Sequence, residues 1–262
     1  MSKVSVLGKV AGVVGIGLLV VCAVWQVGAA PPASPKISTF APAEDLVAQW
    51  DYYVGRIEAD LESEADYKDV AERVYKDANT LILIALALGL HDTPNKYQKH
   101  AAGMVAASQQ LMDAKDYASA KAALAALKAA TVEPKGDPSS LAWKKLAHLP
   151  PLMQQVPLIH SRIKRAMRRF ERQAAAIAGD AATIAVISEG SLYNVDETDK
   201  PDEAEKWYQY CIQMRDAAAA LNRAAKAKDA KAADVALKDL AKSCDDCHTV
   251  FHPEALGKEV EE

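Results

Sequence analysis

Five consecutive residues near the C-terminus, Cys244-Asp245-Asp246-Cys247-His248, combine two thiols and an imidazole at a spacing that can do chemistry. On a helix, residues three and four apart share a face, so the three side chains can act together. This is the spacing of covalent c-type haem attachment. Two thiols become thioethers to the vinyl groups of one porphyrin edge, and the adjacent histidine binds iron. With four cysteines and six histidines in 262 residues, chance produces the pattern on the order of once in a thousand such chains. Two other uses compete. A redox dithiol normally opens a helix after a strand, and half of a zinc site needs further ligands nearby. Here the motif ends a helical pattern and only His252 follows. The expectation is therefore one haem c, with Cys244 and Cys247 as attachment points and His248 as an axial iron ligand.

The elements that must position this motif read as helices. From Ala43 onward the chain is rich in Ala, Leu, Lys, Asp and Glu and lacks strand alternation. Apolar stripes run through Ala120, Ala123, Leu124 and Leu127, and through Val235, Leu237 and Leu240. Loops are marked by Gly, Asn, Asp and Pro at 89–95, 136–140 and 189–202. The expected fold class is all-α, with helices near 43–62, 66–89, 95–113, 116–131, 151–168, 170–190, 202–226 and 229–250.

The two halves also resemble each other. Ala114-Lys115-Asp116 superposes on Ala227-Lys228-Asp229, Asp77, Ala78 and Thr80 on Asp180, Ala181 and Thr183, and Leu46, Arg56 and Ile57 on Leu152, Arg162 and Ile163. Short links make neighbouring helices antiparallel, which gives two tandem four-helix bundles, 43–135 and 140–253, before a charged tail at 254–262. In the first bundle Thr131, Pro134 and Lys135 stand where Cys244, Cys247 and His248 stand in the second, so that bundle is expected to be haem-free.

Upstream, Lys3 and Lys9 precede an uncharged stretch whose apolar part runs from Val10 to about Ala30, roughly long enough to cross a bilayer. Residues 1–30 read either as a cleaved signal peptide or as a retained membrane anchor, and both export the rest. Cys22 sits in a poor lipoprotein cleavage box, since Val21 is bulky, and reads as a buried apolar thiol. Residues 31–42, with four prolines, read as an extended linker. The formal net charge of −4 offers no basic excess for nucleic acid.

From Lys206-Trp207 through Leu221, then Ala227-Lys228-Asp229, Leu237, Leu240 and Ser243 to Phe251, the C-terminal stretch resembles the last two helices of class II cytochromes c, the cytochrome c-prime group. The resemblance is specific over about fifty residues and loose over the rest of the second half. It implies a haem-bearing four-helix bundle, a haem contact from Phe251, and dimerisation, which the two halves could imitate within one chain. The basic residue that usually follows the aromatic is replaced by His252.

In that family the first helix supplies either an apolar shield, leaving iron open to nitric oxide or carbon monoxide, or a methionine for electron transfer. The corresponding helix here offers Met153 as sixth ligand, with His160 as another ligand and Val156 or Leu158 as shields; Pro157 disturbs the register. Core packing is the plainer use of Met153, and a satisfied or exposed histidine that of His160. Arg162 is placed to meet a haem propionate. The basic run it opens, Lys164, Arg165, Arg168, Arg169 and Arg172, either attracts an acidic redox partner or forms a solvated face paired with the acidic loop Asp196, Glu197, Asp199, Asp202 and Glu203. Trp207, Tyr208 and Tyr210 read as packing residues and Cys211 as a buried thiol. The functional expectation is a periplasmic, soluble or tethered electron carrier, not an enzyme, whose partner is a redox protein. Gas binding is the alternative, and a haem peroxidase with His160 as its distal group a remote third.

Overall fold

The computed structural model describes Met1 and residues 30–256, among which there are eight α-helices and no strand. They are α1 (Ala43–Asp60), α2 (Glu64–Leu90), α3 (Ala101–Met112), α4 (Tyr117–Ala130), α5 (Leu149–Met167), α6 (Phe170–Ser191), α7 (Ala204–Lys226) and α8 (Ala230–Phe251). The export or anchor segment, Cys22 and most of the charged tail lie outside the described residues.

Helix ends fall within two residues of expectation except at α3, which begins at Ala101 rather than near residue 95. The intervening residues serve α2 instead. Asn95 Nδ2 donates to the Leu88 carbonyl at 2.9 Å and Gln98 Nε2 to that of His91 at 2.7 Å, satisfying acceptors that a helix C-terminus leaves open. The linker also departs from expectation. Ile37, Phe40 and Ala41 are buried, Ser38 binds Asp92 through its amide (2.8 Å) and hydroxyl (2.6 Å), and the His91 Nε2–H donates to the Ala41 carbonyl at 3.0 Å. The packed body therefore starts near Ile37, because two large apolar side chains outweigh the local proline content.

Consecutive helices pack on one another within each half, and the halves meet through α1, α2, α5 and α6. A single apolar cluster crosses that seam, from Leu46, Trp50, Tyr53 and Ile57 of α1 to Ile159 and Ile163 of α5 and Ile177 and Ile184 of α6. Surrounded in this way, α6 is buried at every residue from Ile177 to Ser191. The segment Phe170–Glu197 is long and apolar enough to cross a membrane, yet it is buried in the protein interior as a core helix.

Polar groups in the seam come in matched sets. Arg56 of α1 grips Asp77 of α2, with Nε–Oδ2 at 2.7 Å, and Arg162 of α5 grips Asp180 of α6, with Nε–Oδ2 at 2.8 Å and Nη2–Oδ1 at 2.6 Å. Each carboxylate also receives a glutamine from the opposite half: Gln155 Nε2 donates to Asp77 at 3.0 Å, and Gln49 hydrogen-bonds Asp180. Gln49 further accepts from Thr183 Oγ1 at 3.1 Å. It reaches this position because residue 179 is glycine: a Cβ there would lie 2.5 Å from Gln49 Nε2.

Burial raises the Asp77 and Asp180 carboxyls and the paired guanidiniums oppose that rise. Removing a guanidinium leaves a buried charge uncompensated. Arg56→Leu is therefore expected to cost about 3 kcal/mol, read by urea unfolding. Because one core spans both halves, the unmutated chain should unfold in a single transition by circular dichroism and tryptophan fluorescence; two separate transitions would contradict the shared core.

Candidate functional site

Helix α8 is started by Asp229, whose side chain accepts from the Ala232 amide at 2.9 Å. Ala233, Ala236, Leu240 and Ser243 then face inward. Continuing that face by one and two turns delivers Cys244, Cys247 and His248, all half-buried. Cys244 packs against the main core. Cys247 packs against a second, smaller cluster of Leu149, Leu192, Ala204, Trp207, Tyr208, Cys211 and Phe251. Phe251 sits edge-on to Trp207 and Tyr210, with ring centroids 5.3 and 6.2 Å away, and Trp207 Nε1–H donates to the Ser191 carbonyl at 2.8 Å. Trp207 and Tyr208 are thus core residues and Cys211 is a buried thiol, as the sequence suggests.

Burial pushes the Cys244 thiol up to about 11 and the Cys247 thiol up to about 12. Catalytic dithiols show the opposite shift, and both residues lie late in a helix. Among the described residues no three His, Cys, Asp or Glu side chains converge as metal ligands. Burial, with help from His252, lowers the His248 pKa, keeping its imidazole neutral at pH 7 as iron ligation requires. His252 itself pairs with Glu254 at 3.0 Å. Two thiols and an imidazole thus share one half-buried face, and these are the donor types that a c-type haem would take.

Met153, on α5, packs against the same small cluster as Cys247 and also against the main core. His160, two turns further along α5, is close enough to feel the charge of Asp245. Burial first, and then Lys164, lowers its pKa; its Nε2 is buried without a hydrogen-bond partner. Arg162 is placed differently from expectation. Its fork is taken by Asp180 and its guanidinium lies over the Tyr52 ring, 5.2 Å from the centroid, which accounts for the residue without a propionate.

Among the described residues no ion pair joins Lys164, Arg168, Arg169 or Arg172 to the acidic loop either. Leu149, Leu192, Ala204 and Phe251 meet in one cluster, so the motif, the start of α5, the end of α6 and the start of α7 share one end of the second half. The acidic loop belongs to that end, where Lys145 binds Asp196 at 2.6 Å and Glu197 at 2.8 Å, and Lys206 binds Glu203 at 2.7 Å. Lys164 to Arg172 form the turn at the other end. Proximity in sequence gave no sign of this separation.

In the first half α4 stops at Ala130. Thr131, Pro134 and Lys135 lie in the turn beyond it, where Lys135 crosses Gly103 so closely that a Cβ there would meet the Lys135 carbonyl at 3.1 Å. One buried pair escaped the sequence reading: Glu189 of α6 with Arg215 of α7, at 2.8 Å. Its signal was an acid in the apolar last two turns of α6.

Compared with known proteins, the chain matches no family model, no curated protein and no solved structure.

Raised thiol pKa values mean less thiolate at a given pH. Between pH 7 and 9, Cys244 and Cys247 in the folded haem-free chain should react with iodoacetamide at least about tenfold more slowly than in urea, followed by mass spectrometry. Equal rates would contradict their packing.

Proposed function

We propose that this chain is an exported cytochrome of the class II c type, carrying one covalent haem and transferring single electrons between redox partners. The observation that carries the reading is the common half-buried face of Cys244, Cys247 and His248 near the end of the last helix. Cys244 and Cys247 would hold the haem by thioether bonds, His248 would ligate its iron, and Phe251 would back the attachment turn. When bound, the haem supplies a one-electron couple within a largely apolar surround. The protein's part is to fix that group and restrict water. Trp207 and Tyr210 of α7 brace the attachment helix through Phe251, and Leu240 anchors it in the main core.

Met153 is proposed as the sixth ligand. It lies on the helix facing the motif and packs on the same cluster as Cys247. Methionine ligation favours electron transfer over the binding of nitric oxide or carbon monoxide, which needs an open iron.

Descent of the two halves from one bundle is supported by three parallels. They are the Arg56–Asp77 and Arg162–Asp180 pairs, the Gln49 and Gln155 cross-contacts, and the caps of α4 and α8, where Asp116 accepts from the Ser119 amide and Asp229 from that of Ala232. Such reciprocal contacts are what a two-fold dimer makes, so the haem-free half takes the place of a second subunit. Residues 1–30 are proposed to direct the chain to a membrane, as signal or anchor.

Produced in cells equipped for c-type haem attachment, the chain should keep haem through denaturing electrophoresis, and Cys244→Ala with Cys247→Ala should abolish that retention. Low-spin absorption unchanged by carbon monoxide is expected, with Met153→Leu converting it to a high-spin, carbon-monoxide-sensitive form. Covalent haem in the double alanine variant would overturn the assignment, and a high-spin starting spectrum would remove Met153 and favour the gas-binding reading.

A further inference from the structure

The turn between α5 and α6 concentrates positive charge. Lys164, Arg165, Arg168, Arg169 and Arg172 are all exposed, and Glu171 is the one acid among residues 164–172. Lys164, Arg168, Arg169 and Arg172 have no ion-pair partner among the described residues. The neighbouring turn between α7 and α8 adds exposed Lys228 and Lys231 beside Asp229.

Helix electrostatics explains part of this cluster. Lys164 and Arg165 sit in the last turn of α5, where a cation complements the negative end of the helix. Arg169 and Arg172 lie at the N-cap and in the first turn of α6, where a cation opposes the helix dipole. Arg169 also makes no side-chain cap hydrogen bond there. Cations held where the fold disfavours them point to an anion outside it.

Two further features say which anion. The chain enters the body beside the last turns of α7, where Arg223 Nη1 donates to the Thr39 carbonyl at 3.4 Å and Lys226 binds Glu44; this is the same end of the second half as the basic turn. The apolar stretch 10–30 precedes that entry point. The opposite end carries the acidic loop and the Cys244–His248 motif. The basic turn and the acidic loop thus lie at opposite ends of the second half, and residues 39–44 pack at the basic end.

We propose that the α5–α6 turn is a docking surface for an anionic lipid bilayer, which orients the protein with its cysteine-histidine motif pointing away from the membrane. The inference rests on the membrane-directed reading of residues 1–30. Each cation near an anionic surface adds roughly a fivefold preference for it, and the acidic loop is repelled by the same field.

The test is hydrogen exchange on the full chain in nanodiscs of phosphatidylglycerol or of phosphatidylcholine. Exchange over residues 164–172 should slow several-fold only in phosphatidylglycerol, and 1 M salt should remove the effect. The triple variant Lys164→Gln, Arg168→Gln, Arg169→Gln should lose it while keeping native circular dichroism. Equal exchange in both lipids, as a purely protein-docking surface would give, overturns the proposal; so does protection at residues 196–205 instead. Absorbance of the same sample reports haem attachment, so failure of the cytochrome reading is seen separately.

Discussion

Two buried carboxylates cannot stay charged in an apolar seam without partners, and meeting that requirement fixes how the halves of this protein join. Asp77 and Asp180 are each held by an arginine from the preceding helix and by a glutamine from the far half. An all-apolar seam could slide by a turn at small cost, since apolar contacts are non-directional. Hydrogen bonds that cross in both directions tolerate no such slip. The pairs therefore act less as a source of net stability, which burial of charge largely offsets, than as a definition of register.

Register in the seam propagates to the motif. Arg162 and Gln155 pin α5 along its length, and the residues between them on other faces, together with Met153, acquire their positions from that constraint. Helix α6 carries the other end of the pair and packs on α7, which packs on α8. Glu189 and Arg215 repeat the device between α6 and α7. Helices α5 and α8 thus come to face each other through partners held elsewhere, and the motif residues are left half-buried on their inner side.

Much of this was legible in the sequence. Helix positions followed from apolar periodicity and from breakers, and Asp116 and Asp229 marked helix starts that prove to be side-chain caps. The matches Arg56 with Arg162 and Asp77 with Asp180 were visible as similar residues at similar spacing, but not as the two ends of one ion pair. That pairing needs the distance between helices, which a one-dimensional pattern does not hold. The same limit explains Arg162, whose position on the first helix suggests a propionate partner but whose fork is filled by Asp180. It also explains the acidic loop, whose cations are Lys145 and Lys206 rather than the basic run. Composition misled at residues 37–41, where prolines nearby masked the burial of Ile37 and Phe40.

The half-burial of Cys244 and Cys247 bears on the order of events in biogenesis. Once α8 has settled against α5 and α7, both sulfurs face packed neighbours and are held in the unreactive protonated form by that packing. Any machinery that must reach both sulfurs has to act while the last helix is still unsettled. The seam between the halves is formed by helices that precede α8 in the chain. The body can therefore assemble first and leave its final helix loose for a time. For a chain modified at these two cysteines, the length of that interval, set by how weakly α8 holds on, would govern the yield of mature protein.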